Sequence, residues 1–172
     1  MEELERTFLV KFLPEGLFDV PYKEIVDVYI PITSAHPCMR VRKNGDRYEI
    51  TKKQPIESED ISRQHESTIP LEAGEYEALV AIPGSRISKR RCYYPFQDGV
   101  CEVDVFTGNL VGLVLVDIEF SSVEGKAECE MPSFCLAEVT QESVFAGGML
   151  AGKSYEDIEG DLARFGYQKI NV

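Results

Sequence analysis

The most constraining feature of this chain is a period-two alternation that returns along most of its length, ionisable residues on one face and aliphatic or aromatic residues on the other. From Glu3 to Phe12, one strand face carries Glu3, Glu5, Thr7, Leu9 and Lys11 and the other Leu4, Arg6, Phe8, Val10 and Phe12. Two carboxylates one step apart on a strand face sit about 7 Å apart, at a rise of about 3.3 Å per residue. They can share a divalent cation or hold one each. Alone, the pattern also describes an amphipathic strand with its charges in water. Its return shifts the balance: Arg40/Arg42, Lys89/Arg91, Glu102/Asp104 and Asp117/Glu119 form same-face pairs sorted by sign.

Between these pairs the chain reads as short strands joined by turns. Strands are expected at 24–32, 38–43, 47–53, 62–71, 85–95, 100–106, 111–121 and 134–139. Pro14-Glu15-Gly16 opens a loop or short helix, Asn44-Gly45-Asp46 is a hairpin turn, and 54–60 is expected to be polar loop. Helical spacing predicts helices at 72–81, 122–129, 142–151 and 155–165, the last capped by Ser154.

A length of 172 residues suits one domain, 1–172, with a core of useful size. No apolar run of about 18 residues is present, so no membrane span is expected. The start, Met1-Glu2-Glu3, lacks an apolar signal region, and a cytoplasmic location is expected. The five cysteines (Cys38, Cys92, Cys101, Cys129, Cys135) form no C-x-x-C pair and fit free thiols in a reducing compartment. A net charge of −12 argues against a nucleic-acid partner. Local basic clusters still leave room for a small polyanion.

In a sandwich the charged faces would look to water. Sorting by sign, together with helices that need apolar surface to cover, favours an α+β fold: a closed antiparallel β-barrel with a polar interior and helices packed outside. Buried acids and bases in such number call for ligands. Arg and Lys suit phosphate oxygens, and leftover carboxylates suit Mg²⁺ or Mn²⁺. The inferred ligand is a condensed phosphate with one or two metals.

The ordered series E-x-E, R-x-R, T-x-K, E, K-x-R, E-x-D and D-x-E, from Glu3 to about Ala151, resembles the CYTH superfamily, or triphosphate tunnel metalloenzymes. Glu102-Val103-Asp104-Val105-Phe106, followed by Gly112-Leu113 and Glu119-Phe120, is similar to that group's most recognisable block. The resemblance implies an eight-stranded tunnel and a metal-dependent triphosphatase. By the same resemblance Glu3, Glu5, Glu66, Glu102, Asp104, Asp117 and Glu119 would hold metal. Arg40, Arg42, Lys53, Lys89, Arg91 and Lys11 would bind substrate, with Glu5, Lys89 and Arg91 catalytic. The implied partner is a triphosphate-containing small molecule, a homodimer being left open. The alternatives are a class IV-type adenylate cyclase and a non-catalytic polyphosphate-binding module.

The chain departs from the family pattern at three places. Thr7 stands where E-x-E-x-K has lysine, Gln64 where an acid precedes Glu66, and Phe145-Ala146-Gly147 where an aromatic–basic–Asn step is usual. His36 and His65 read as solvated or packing residues, and Gly147-Gly148 as a site of close packing rather than phosphate binding.

Overall fold

The computed structural model describes residues 2–57 and 60–171, so Met1 and the Ser58-Glu59 tip of the expected polar loop lie outside the described residues. Eight strands close into an antiparallel ring: β1 (Glu2–Val10), β2 (Tyr22–Tyr29), β3 (Met39–Asn44), β4 (Arg47–Glu57), β5 (Asp60–Leu71), β6 (Ser85–Phe96), β7 (Gly99–Phe106) and β8 (Val114–Phe120). Around the ring the order is β1-β5-β4-β3-β2-β6-β7-β8, and β8 returns to β1. One edge of β1 is shared: β5 pairs with Glu2 to Leu4, and β9 (Cys135–Glu138) pairs with Phe8 to Val10. The helices α1 (Ala73–Val80), α2 (Val123–Glu128), α3 (Gly147–Leu150) and α4 (Tyr155–Ala163) complete the chain.

The barrel is inverted, apolar outside and polar within. Phe8 and Val10 of β1, Val103 and Val105 of β7, and Val116 and Ile118 of β8 form a buried cluster on its outer wall with Leu17, Phe134 and Cys135. Val28, Ile30 and Val41 are covered by Tyr76, Leu79 and Val80 of α1. A third cluster joins Leu9, Ile87, Phe106 and Leu115 to Phe145, Leu150, Ile158 and Leu162, so one end of the barrel is sealed by apolar packing. Among the described residues no helix is long and apolar enough to cross a membrane.

Several boundaries differ from the expected ones for local reasons. β1 ends at Val10, not Phe12, because its register with β9 shifts between Leu9 and Val10. Lys11 and Phe12 then turn onto the Phe134 carbonyl, which accepts from the Lys11 amide at 2.8 Å. The expected loop 54–60 is largely strand: Gln54 and Pro55 stay paired with His65 and Gln64 before the register slips toward Asp60. Pro55 is tolerated beside such an irregularity. β8 starts only at Val114, after Gly112 at φ 101°.

The expected helix at 142–151 is broken into a 3₁₀ turn, Ser143–Phe145, and the single turn of α3, with Ala146 extended between them. Two glycines are weak helix formers, and here they are squeezed. A methyl added at Gly147 would run into the Tyr29 hydroxyl, and one at Gly148 into the Pro37 carbonyl oxygen. Gly148→Ala is therefore expected to cost about 1–3 kcal/mol. A lower denaturant midpoint at unchanged slope would show this; an unchanged midpoint would mean that the segment yields freely.

A charged tunnel as candidate active site

The inward faces of the eight strands line a cavity of roughly 680 Å³. Ten carboxylates and five Lys or Arg side chains border it, counted over the described residues, so its wall carries an excess of negative charge. Strand alternation places Glu3, Glu5 and Thr7 of β1 inward, and the barrel's register sets them beside their partners. Glu5 lies directly opposite Glu119, Thr7 opposite Asp117, and Asp117 opposite Glu102.

Arg91 organises one side of the cavity. Its guanidinium donates to both oxygens of Asp104 (Nε to Oδ1 and Nη2 to Oδ2, each 2.7 Å) and to Asp117 Oδ2 (3.2 Å), and it is also paired with Glu102. Lys89 pairs with Asp104 as well, so both oxygens of that buried carboxylate are occupied by cations. Burial works to raise Asp104, but Arg91 and Lys89 outweigh it and hold it far below the ordinary range. Glu102 moves the other way, pushed up to about 7 by burial, with Asp104, Asp117 and Glu119 adding to the shift against Arg91. Asp117 is also raised, by burial and by the nearby Glu5 and Asp104. Its Oδ1 accepts from the Thr7 hydroxyl at 2.8 Å. Lys89 is lowered, by burial and by the like charge of Arg91.

Across the cavity, Lys53 sits at the meeting point of three carboxylates. Its ammonium lies 2.5 Å from Glu3, 3.5 Å from Glu66 and 3.7 Å from Glu5. Burial opposes the charge, yet Glu5 and Glu3 prevail and raise Lys53. Next to it the two arginines of β3 differ sharply. Arg42 is clamped by Asp27, Nε to Oδ1 at 2.6 Å and Nη2 to Oδ2 at 2.8 Å. Among the described residues Arg40 has only a 3.4 Å hydrogen bond to the Tyr29 hydroxyl and a 3.9 Å approach to Glu66, and its buried Nε has no partner.

Of the residues singled out in the sequence, Glu3, Glu5, Arg40, Arg42, Lys53, Glu66, Lys89, Arg91, Glu102, Asp104, Asp117 and Glu119 all line this one cavity. Lys11 does not belong with them. It lies past the end of β1 and is exposed, because the bulge at Leu9/Val10 ends the alternation that placed it on the inner face. Gly147-Gly148 packs closely, as expected. The sequence reading missed Asp27, Asn44, Glu49 and Tyr93, all of which line the cavity. For Asp27 the signal was weak: a single acid between Ile25 and Tyr29 on one strand face.

The donor set suits a divalent cation. All of its candidate ligands are carboxylate oxygens, and a positive group, the Lys53 ammonium, already stands where Glu3, Glu5 and Glu66 meet. Glu5 and Glu119 face each other as like charges, an arrangement that is unfavourable unless a cation intervenes. As they stand, no three His, Cys, Asp or Glu side chains among the described residues are grouped closely enough to hold a metal.

Closed strands around a cavity of paired acids and bases define an antiparallel tunnel protein with a charged interior. No protein-family model matches the sequence. An inorganic triphosphatase of Nitrosomonas europaea is 33% identical over 154 residues, 88% of this chain and 97% of that one. The crystal structure of an inorganic triphosphatase superposes with a TM-score of 0.63 at 30% identity, over 88% of this chain and 95% of the other. A candidate adenylate cyclase from Bacillus halodurans, 14% identical, shares the fold with a TM-score of 0.54 over 99% of this chain and 94% of its own. The chain belongs to the CYTH superfamily, the family of these triphosphatases and cyclase-like tunnels.

Proposed function

We propose that the protein is a metal-dependent triphosphatase that hydrolyses inorganic triphosphate, or a small organic triphosphate, inside this tunnel. The observation that carries the reading is the asymmetry of the tunnel's cations. Arg40 faces the cavity with donors free or loosely held and Lys53 is shared among three carboxylates, while Arg42, Lys89 and Arg91 are each fixed by a buried aspartate. Arg40 offers a planar fork to phosphate oxygens, and Lys53 can exchange its carboxylates for phosphate. Arg91 and Lys89, fixed by Asp104, present charge that needs no rearrangement when negative charge builds on the equatorial oxygens. In this scheme Asp104 acts as their counter-ion rather than as a metal ligand. Held by Glu5, Glu119, Glu102 and Asp117, with Glu3 and Glu66 released as Lys53 moves, Mg²⁺ or Mn²⁺ would supply Lewis acidity toward the phosphate oxygens and the attacking water. We also assign the protein to the cytoplasm, a reading supported by its five free cysteines.

Phosphate release should be measured with tripolyphosphate, ATP and thiamine triphosphate, each with Mg²⁺ and with Mn²⁺. Release from none of these pairs would defeat the proposal, and tight binding without turnover would select a non-catalytic module instead. The roles of individual residues separate in the kinetics. Glu119→Gln should raise the metal concentration needed for half-maximal rate by about 10-fold, about 1.4 kcal/mol of lost attraction. Arg40→Ala should raise KM for triphosphate more than Arg42→Ala does, since Arg40 has most of its fork open whereas Arg42 has only Nη1 left to donate. Equal KM effects would mean that the Asp27–Arg42 clamp opens on binding.

A further inference from the structure

The triphosphatase reading leaves the carboxylate of Asp27 without a task. Asp27, on β2, is 2% exposed, and Arg42, directly opposite on β3, is 6% exposed. The fork–carboxylate contact uses Nε and Nη2 of Arg42, while Nη1 makes no hydrogen bond with a described residue. A pair this buried is a poor device for stability alone, since apolar side chains of similar size often serve as well or better. What only a carboxylate supplies here is negative charge among the cations of the tunnel. Burial works to raise Asp27, yet Arg42, with Arg40 and Lys89 beyond it, holds it below its ordinary range. It therefore stays ionised where phosphate oxygens would otherwise be the anions.

We propose that Asp27 is a positioning residue that stands in for a phosphate oxygen in the ligand-free tunnel, orienting Arg42 and weakening the tunnel's hold on bound phosphates so that products leave. The inference rests on the triphosphatase reading and deepens it. Arg42 meets substrate already oriented, with Nη1 left to donate, so less side-chain freedom is lost on binding. The same carboxylate repels the ligand's charges, which lowers ground-state affinity and keeps the site from becoming a phosphate trap.

The test is Asp27→Asn, which preserves shape and one acceptor but removes the charge. Tripolyphosphate and pyrophosphate are titrated calorimetrically into each protein in chelator, where no turnover occurs, and kcat and KM are then measured with Mg²⁺. The variant is expected to bind both anions at least ~10-fold more tightly. Its KM should fall together with kcat, the signature of lost ground-state repulsion and slowed release. A purely structural role for Asp27 would lower the melting temperature and leave the dissociation constants unchanged or weaker; that result overturns the inference. If Asp27→Asn does not fold, D27N/R42M is compared with R42M. Tighter binding by the double variant supports the inference, and equal affinity defeats it. A wild-type protein that neither binds nor hydrolyses either anion removes the triphosphatase reading itself, a different outcome from wild-type binding that Asp27→Asn leaves unaltered.

Discussion

Replacing Arg91 with methionine is expected to lower the stability of the ligand-free protein by about 3–5 kcal/mol, the usual result of taking one partner from a buried charge network. Hydrolysis should fall by at least about 100-fold, as on loss of a preorganised group that stabilises transition-state charge. Both effects have the same origin. Among the described residues Arg91 is the single cation that touches Glu102, Asp104 and Asp117, and its removal leaves Lys89 to balance all three. Lys89 cannot reproduce the fork geometry that engages both oxygens of Asp104. Denaturant midpoints in chelator report the first effect and phosphate release the second. A variant as stable as the wild type would show that the carboxylates around Arg91 are hydrated, and the tight network described above would then be wrong. Arg91→Lys should recover part of the stability and little of the rate, because the charge returns without the fork.

The second large effect concerns pH. Glu102 is raised in the folded protein from its ordinary 4.5 to about 7, and Asp117 is raised as well. A carboxyl group raised on folding binds more protons in the native than in the unfolded state. Its contribution is complete below the unfolded pKa and is lost as pH rises through the folded one. For Glu102 that window runs from about 4.5 to about 7, and the loss amounts to up to about 3 kcal/mol. Asp104 has the opposite sign, but its contribution is lost only in stronger acid, below this window. The melting temperature in chelator is therefore expected to fall between pH 5 and pH 8. Added Mg²⁺ should flatten that fall by mass action, binding the carboxylates once they ionise. Glu102→Gln should flatten it without metal. A melting temperature that climbs over this interval in chelator would refute the crowding of carboxylates on which the proposed metal site rests.

Much of the fold could be read from the sequence because an inverted barrel keeps a clean period of two. Val103, Val105, Val116 and Ile118 alternate with Glu102, Asp104, Asp117 and Glu119, and the structure turns the two sets to opposite sides of the wall. The pairing of those charges was not readable. Which base meets which acid depends on strand order and register: Arg42 finds Asp27 because β2 and β3 pair in one particular register, information that no local window contains. Asp27 has no same-face acid beside it to mark it out, unlike Glu3 with Glu5 or Asp117 with Glu119. Lys11 failed for the opposite reason. Alternation continues in the sequence past Val10, but a bulge that only the pairing with β9 reveals ends it in the structure. The helix expected at 142–151 breaks at the extended Ala146, and Gly147 and Gly148 then open α3 against Tyr29 and Pro37, neighbours distant in sequence that no local window shows.

The opposed carboxylates Glu5 and Glu119 carry a consequence for anyone selecting variants of this protein for heat resistance. Most enzymes can be toughened by filling their cores, whereas here the quickest gains lie in the hollow itself, where neutral or greasy replacements relieve repulsion that the native chain tolerates. A screen that rewarded survival alone would therefore remove acids that crowd one another, such as Glu5 or Glu119, and keep Asp27 and Asp104, which balance buried cations. It would return a sturdier barrel with nothing left to do, so heat selection and turnover have to be scored together.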